Sequence, residues 1–188
     1  MASTSSSTRS SARKRTGAEH VALLRGVNVG GHRITSMAEL REKFAAAGLT
    51  SVKTLGVSGN VVFGGKATNL SELAGTDVIV RSASQWRRVI EANPFENEAK
   101  SDPGRLLVMF LDRKPGPLFE WPGPETMRLF DRELFIYYPN GAGRSKLTGA
   151  LIEKRLGVRG TARNWNTVMK LAAMLEWGFS GAPAEKRG

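Results

Sequence analysis

Apolar residues come along this chain in short bursts separated by glycine, proline and polar turns, and the spacing inside each burst predicts an element. His20 to Arg25 is an apolar run of strand length, ended by Gly26. Ser36-Met-Ala-Glu39 has capping-box spacing, in which a Ser hydroxyl and a Glu carboxylate each satisfy a free backbone donor at a helix start. Met37, Leu40, Phe44 and Ala47 then recur on one helical face, and Gly48 stands where a helix-ending glycine is expected. Val52 to Phe63 is strand-like but interrupted at Ser58-Gly59-Asn60, a turn or a bulge. Asp77 to Arg81 predicts another strand. Ser82 and Gln85 offer a second capping box, Trp86, Val89 and Ile90 the apolar face behind it, and Pro94 the stop.

Further on, residues 96–104 look like a polar loop, Arg105 to Leu111 a strand, and the four prolines of 112–124 an irregular stretch. Met127–Phe130 and Leu134–Tyr138 predict a hairpin around Asp131-Arg-Glu133. Lys146 to Leu156 predicts a helix ended by Gly157, and Trp165 to Trp177 another, with Trp165, Val168, Leu171, Ala172 and Leu175 facing inward. A strand–helix–strand order occurs twice. This predicts an α+β fold of two ferredoxin-like βαβ-type halves packed together and followed by two C-terminal helices, and not a parallel doubly wound sheet. The compact domain is expected over 19–177, with subdomains at about 19–75 and 76–177.

Charge changes this picture at the two ends. The net charge is +11 over 188 residues. Residues 1–16 carry Arg9, Arg13, Lys14 and Arg15 and no acid, whereas residues 17–138 hold 15 basic and 14 acidic side chains. Residues 139–177 hold seven basic and two acidic ones, a surplus of +5. Basic patches beside a neutral body attract polyanions through phosphate contacts and counterion release. Residues 1–18, rich in Ser, Thr and Arg without a large apolar side chain, are expected to be a disordered basic tail, and 178–188 a loose one. The basic, serine-rich composition is also that of an organelle transit peptide, but no amphipathic pattern accompanies it. There is no apolar run of membrane-spanning length and no cysteine, so disulfides and thiolate metal sites are excluded. With His20 and His32 the only imidazoles, no metal site and no cofactor are expected. A cytoplasmic location suits the missing cysteines.

Four polar segments are candidates for chemistry. Arg25-Gly-Val-Asn28-Val-Gly-Gly31 follows the first strand, but Asn28 stands where a dinucleotide loop needs its middle glycine, so a Rossmann site is rejected. Ser58-Gly59-Asn60 is the second. The third runs through Asn140, Gly141, Gly143, Arg144, Ser145 and Lys146 into a helix, with Ser145 as candidate N-cap and an anion favoured by free backbone donors. It lacks Walker A spacing. The fourth, Arg163-Asn164-Trp165, offers a cation, a cap and a possible stacking ring. Catalytic triads, carboxylate clusters and metal-binding motifs are missing from the sequence.

The stretches VALLRGVNVGGHR, MAELREKFAAAGLTSVKT, SGNVVF, ANPF, YYPNGAGRSKLTGALIEKRLG and TARNWNTVMKL, in this order from Val21 to Leu175, resemble the bacterial domain-of-unknown-function family numbered 1697. The resemblance implies a two-part α+β fold related to ferredoxin-like halves and no agreed activity, substrate or cofactor. Where that family shows Asn-Lys after the double glycine this chain has Arg33-Ile34, and Val57 replaces Gln or Asn before Ser-Gly-Asn. Residues 68–77 look too short for the helix many members carry there. Together the residues point to a binding protein for a phosphate-bearing ligand, nucleic acid or nucleotide, with Asn140, Arg144, Lys146, Arg163 and Asn164 as the anion pocket and Trp165 as platform. The rival readings are an enzyme on a small phosphorylated or carboxylated substrate held by Arg25, Asn28, Ser58 and Asn60, and a partner-binding module without ligand.

Overall fold

A computed structural model describes residues 17–26, 36–66 and 68–175. Expectations for the N-terminal tail up to residue 16, for Asn28, Arg33 and Ile34, and for residues 176–188 lie outside the described residues.

The first half runs β1 (His20–Leu24), α1 (Met37–Ala46), β2 (Thr50–Leu55), β3 (Asn60–Gly64), α2 (Leu70–Ala74), β4 (Val78–Ser82) and α3 (Ala83–Glu91). Both capping boxes form, at Ser36/Glu39 and Ser82/Gln85. The Ser58-Gly59 segment is a hairpin turn and not a bulge, with Gly59 at φ 67°, a conformation costly for a side chain. The strands form one antiparallel sheet in the order β2-β3-β1-β4, the split-βαβ arrangement of a ferredoxin-like unit. β4 therefore belongs to the first half, whereas the sequence reading began the second at residue 76. Residues 68–77 do hold a helix, of five residues, because Leu70 and Ala74 bury one short face.

The second half runs α4 (Glu96–Ser101), β5 (Leu106–Leu111), β6 (Thr126–Phe130), β7 (Glu133–Tyr137), a 3-10 turn (Ala142–Arg144), α5 (Gly149–Leu156), β8 (Gly160–Asn164) and α6 (Trp165–Met174). Its sheet order, β6-β7-β5-β8, repeats that of the first half, with the proline-rich stretch in place of the first helix. Two elements differ from expectation. Residues 96–101 are helical without burying an apolar face, and β8 intervenes between the last two helices. The polar sequence of β8 carries no apolar run to announce it. α5 begins at Gly149 and not Lys146, because Thr148 accepts from the Leu151 amide.

Each sheet turns one face to a shared centre. Val21, Leu23 and Val62 from the first sheet meet Leu106, Val108, Phe110 and Phe135 from the second, together with Trp86 and Val89 of α3 and Trp165, Val168 and Leu171 of α6. Trp86 stacks on Phe110 at 4.8 Å and donates its indole N–H to the Val168 carbonyl at 3.1 Å. Ala18 is buried in this cluster, so the ordered body includes a residue assigned from sequence to the tail. The outer faces pack separately, against α1 and α2 on one side and against α5 and Leu118, Phe119 and Trp121 on the other.

Candidate functional site

Arg163 is the last-but-one residue of β8 and pairs with Val108, which directs it toward the shared centre. It is 8% exposed. Its Nε donates to the Asn60 side-chain oxygen, Nη1 to Thr161 Oγ1 at 2.7 Å and the Ala162 carbonyl at 2.8 Å, and Nη2 to the carbonyls of Leu24 and Ser58, both at 3.0 Å. Asn60 in turn donates to the Leu55 carbonyl at 3.1 Å, closing its hairpin. Burial pulls the Arg163 guanidinium down to about 10, so it remains charged at neutral pH. Among the described residues it meets no carboxylate, and six oxygens solvate it instead.

Arg25, just past β1, joins the same region. Its Nε donates to the Gly160 carbonyl at 2.8 Å, Nη1 to Asp77 at 2.9 Å and Nη2 to Glu153 at 2.5 Å. Asp77 also pairs with Arg159 at 2.8 Å, and Arg159 with Asp112 at 3.3 Å. For Asp112 desolvation works upward, but the hydrogen bonds from Arg159 and the charge of Arg113 hold its carboxyl below the usual range. Arg25, Ser58, Asn60 and Arg163 thus gather at the end of β1 and tie the halves together.

A matching arrangement, not singled out from sequence, lies at the equivalent place in the other half. Arg81 is the last-but-one residue of β4, pairs with Val21 and is 2% exposed. It donates to Glu133 at 2.6 Å and to the Leu111 carbonyl at 2.7 Å. Desolvation lowers its pKa against the opposing pull of Glu133. The sequence signal was a lone arginine inside the apolar strand Val78–Ser82.

The segment from Asn140 to Lys146 engages other partners. Gly141 turns with φ 80°, and Asn140, Gly143, Arg144 and Lys146 are exposed. Ser145 is not the N-cap: its hydroxyl donates to Glu125 and accepts from the Leu147 amide at 2.9 Å. Glu125 also accepts from Trp121 at 2.6 Å. Desolvation works upward on its carboxyl, and those two hydrogen bonds draw it below its ordinary value. Beneath the loop, burial and then the Glu125 charge push the Tyr138 phenol up to about 12. Trp165 lies in the shared core at 7% exposure and not on the surface as a stacking ring, and Asn164 caps α6 by accepting from the Thr167 amide at 2.9 Å. The pocket read from sequence therefore divides into an exposed basic loop and an interior arginine.

The family model described as "Protein of unknown function (DUF1697)" matches residues 18–119, more than half of the chain. The chain belongs to that family. The solved structure of conserved bacterial protein SP0830 from Streptococcus pneumoniae resembles this DUF1697 chain with a TM-score of 0.63 at 21% identity, over 85% of this chain and 98% of that one. At that identity the likeness is one of fold. None of the curated proteins matches.

The DUF1697 match contains Arg25, Asn28, Ser58, Asn60 and Arg81, while Asn140–Lys146 and Arg163–Trp165 lie beyond it. Among the described residues no group of three or more acidic or histidine side chains is placed to hold a metal, and no helix is long and apolar enough to cross a membrane. Chemically, the interior arginines are donors already committed within the fold. Cations open to a ligand include Arg144 and Lys146 of the exposed C-terminal loop.

Proposed function

We propose that this protein binds a phosphate-bearing ligand, a nucleic acid or a nucleotide, through the exposed basic surface of its C-terminal third. One observation supports the reading. Arg144, Lys146, Lys154, Arg155 and Lys170 are exposed and have no acidic partner among the described residues, in a stretch, 139–177, that holds seven basic and two acidic side chains. The nearby Glu153 is taken by Arg25. Unpaired cations concentrated in one segment attract phosphates and release counterions on binding. The Asn140–Lys146 loop carries two of them, while Arg163, Asn164 and Trp165 serve the fold. A cytoplasmic setting fits the reading. An enzyme built on Arg25, Ser58 and Asn60 has less behind it, because the side-chain donors of Arg25 and Asn60 are bound to other parts of the chain.

A thermal-shift screen of nucleotides and short oligonucleotides at low and high salt tests this, since a ligand bound only by the folded state raises its melting midpoint. Oligonucleotides should raise the midpoint at low salt and lose the effect at high salt. A flat response to every phosphate-bearing ligand would contradict the proposal.

A further inference from the structure

A cleft of about 170 Å³ opens between α3 and the β6–β7 turn, remote in sequence from the basic surface above. Its floor is the Arg81–Glu133 pair, whose charges cancel. Arg88 from α3 and Arg132 from the turn line its walls, and neither has an acidic partner among the described residues. Phe130 lines it too and is 46% exposed, one of three large apolar side chains so exposed among the described residues. Asp131, held at φ 50° in a conformation that disfavours side chains, adds one negative charge. The cleft therefore carries a net charge of +1 beside an open aromatic face.

The chain supplies its own comparison. By the repeated sheet register, Leu55 and Asn60 stand in the first half where Phe130 and Glu133 stand in the second, with four turn residues between them in the first half and two in the second. The first half closes its hairpin with a half-buried leucine and no ring, so an exposed phenylalanine is not what the sheet requires.

We propose that this cleft binds a small planar carboxylate, with its anionic end between Arg88 and Arg132 and its flat apolar body against Phe130. Two guanidinium groups match the planar oxygens of a carboxylate, and one aromatic face favours a second ring laid against it. The single net charge suits a monoanion. At about 170 Å³ the cleft is smaller than the usual ligand pocket of about 300–1,000 Å³, which favours a single-ring ligand over a nucleotide. The proposal does not depend on the function assigned to the C-terminal surface.

The test is an amide-resolved NMR titration of the full chain with benzoate, and with acetate as the anion lacking a ring. Benzoate should shift the amides of Gln85–Arg88 and Phe130–Glu133 saturably, and acetate should bind about tenfold more weakly. Arg88→Ala and Arg132→Ala should each weaken benzoate binding about tenfold, and Phe130→Ala should bring benzoate down to the level of acetate. Arg144→Ala with Lys146→Ala should leave benzoate binding unchanged, which separates this cleft from the phosphate-binding surface. All these variants are partly or fully exposed, and the dispersion of the same spectra reports whether each stays folded. The proposal is overturned if benzoate shifts no cleft amide, if acetate matches it, or if its binding survives loss of either arginine in a folded variant.

Discussion

Arg81 and Arg163 occupy matching positions on the last strand of each half, and each reaches into the opposite half, Arg81 to Glu133 and Arg163 to Asn60. One buried arginine meets a carboxylate and the other a neutral amide. Breaking a buried ion pair leaves an uncompensated charge and costs about 3–5 kcal/mol, so Glu133→Gln should lower stability toward the smaller end of that range, the amide oxygen keeping one bond. Urea unfolding at pH 7 measures it, and an unchanged midpoint would show that Glu133 does not hold Arg81.

Asn60→Asp gives Arg163 the carboxylate that Arg81 already has. Beside Arg163 the new carboxyl's folded pKa should fall below its unfolded value of about 3.9. Its contribution is then present above that pH and lost as pH falls through the folded pKa. The variant should be at least as stable as the parent at pH 7, and its advantage should disappear on strong acidification. The variant also gives up the bond from Asn60 to the Leu55 carbonyl, so a loss of stability at pH 7 would mean that this bond and the desolvation of the carboxylate together outweigh the pairing.

Trp86 joins the halves through its ring and its N–H. Trp86→Ala should cost about 3–5 kcal/mol, as for large aromatic truncations in cores. Trp86→Phe should cost much less, because it keeps a ring over Phe110 and loses the bond to Val168, worth about 1 kcal/mol. Equal losses in the two variants, read by denaturant unfolding, would mean the hydrogen bond and not the ring dominates.

Most of the fold was legible because its elements announce themselves locally. Both capping boxes, the apolar runs of β1 and β5 and the helical face of α6 are short-range signals. What escaped was long-range or polar. β8 reads Gly-Thr-Ala-Arg-Asn and is a strand because β5 pairs with it. Ser145 looked like a cap, but Glu125, twenty residues earlier in sequence, takes its hydroxyl. The site was divided for the same reason: Arg163 looks like a surface cation until Asn60, 103 residues away, is brought against it.

Acid sensitivity should appear at Asp112, which the hydrogen bonds from Arg159 hold below the usual carboxylate range. Its folded pKa is lowered, so its contribution is present above about pH 3.9, the unfolded value, and lost as pH falls through the folded pKa. Asp112→Asn should melt below the parent at pH 6, and the gap should narrow toward pH 3. A gap independent of pH would assign the loss to packing.

The central claim concerns Arg144 and Lys146, exposed and unpaired at the head of the basic C-terminal segment. Fluorescence anisotropy of a short labelled oligonucleotide, titrated at several salt concentrations, tests it most directly. The full chain and a version lacking residues 1–16 should be measured in parallel, because the four positive charges of that segment would attract a polyanion on their own account. The shortened protein should still bind, with affinity falling linearly on a log–log plot against salt. Arg144→Ala and Lys146→Ala should each weaken binding and flatten that slope by roughly one unit. Binding that vanishes with residues 1–16, or that is the same in both variants as in the parent, would contradict it.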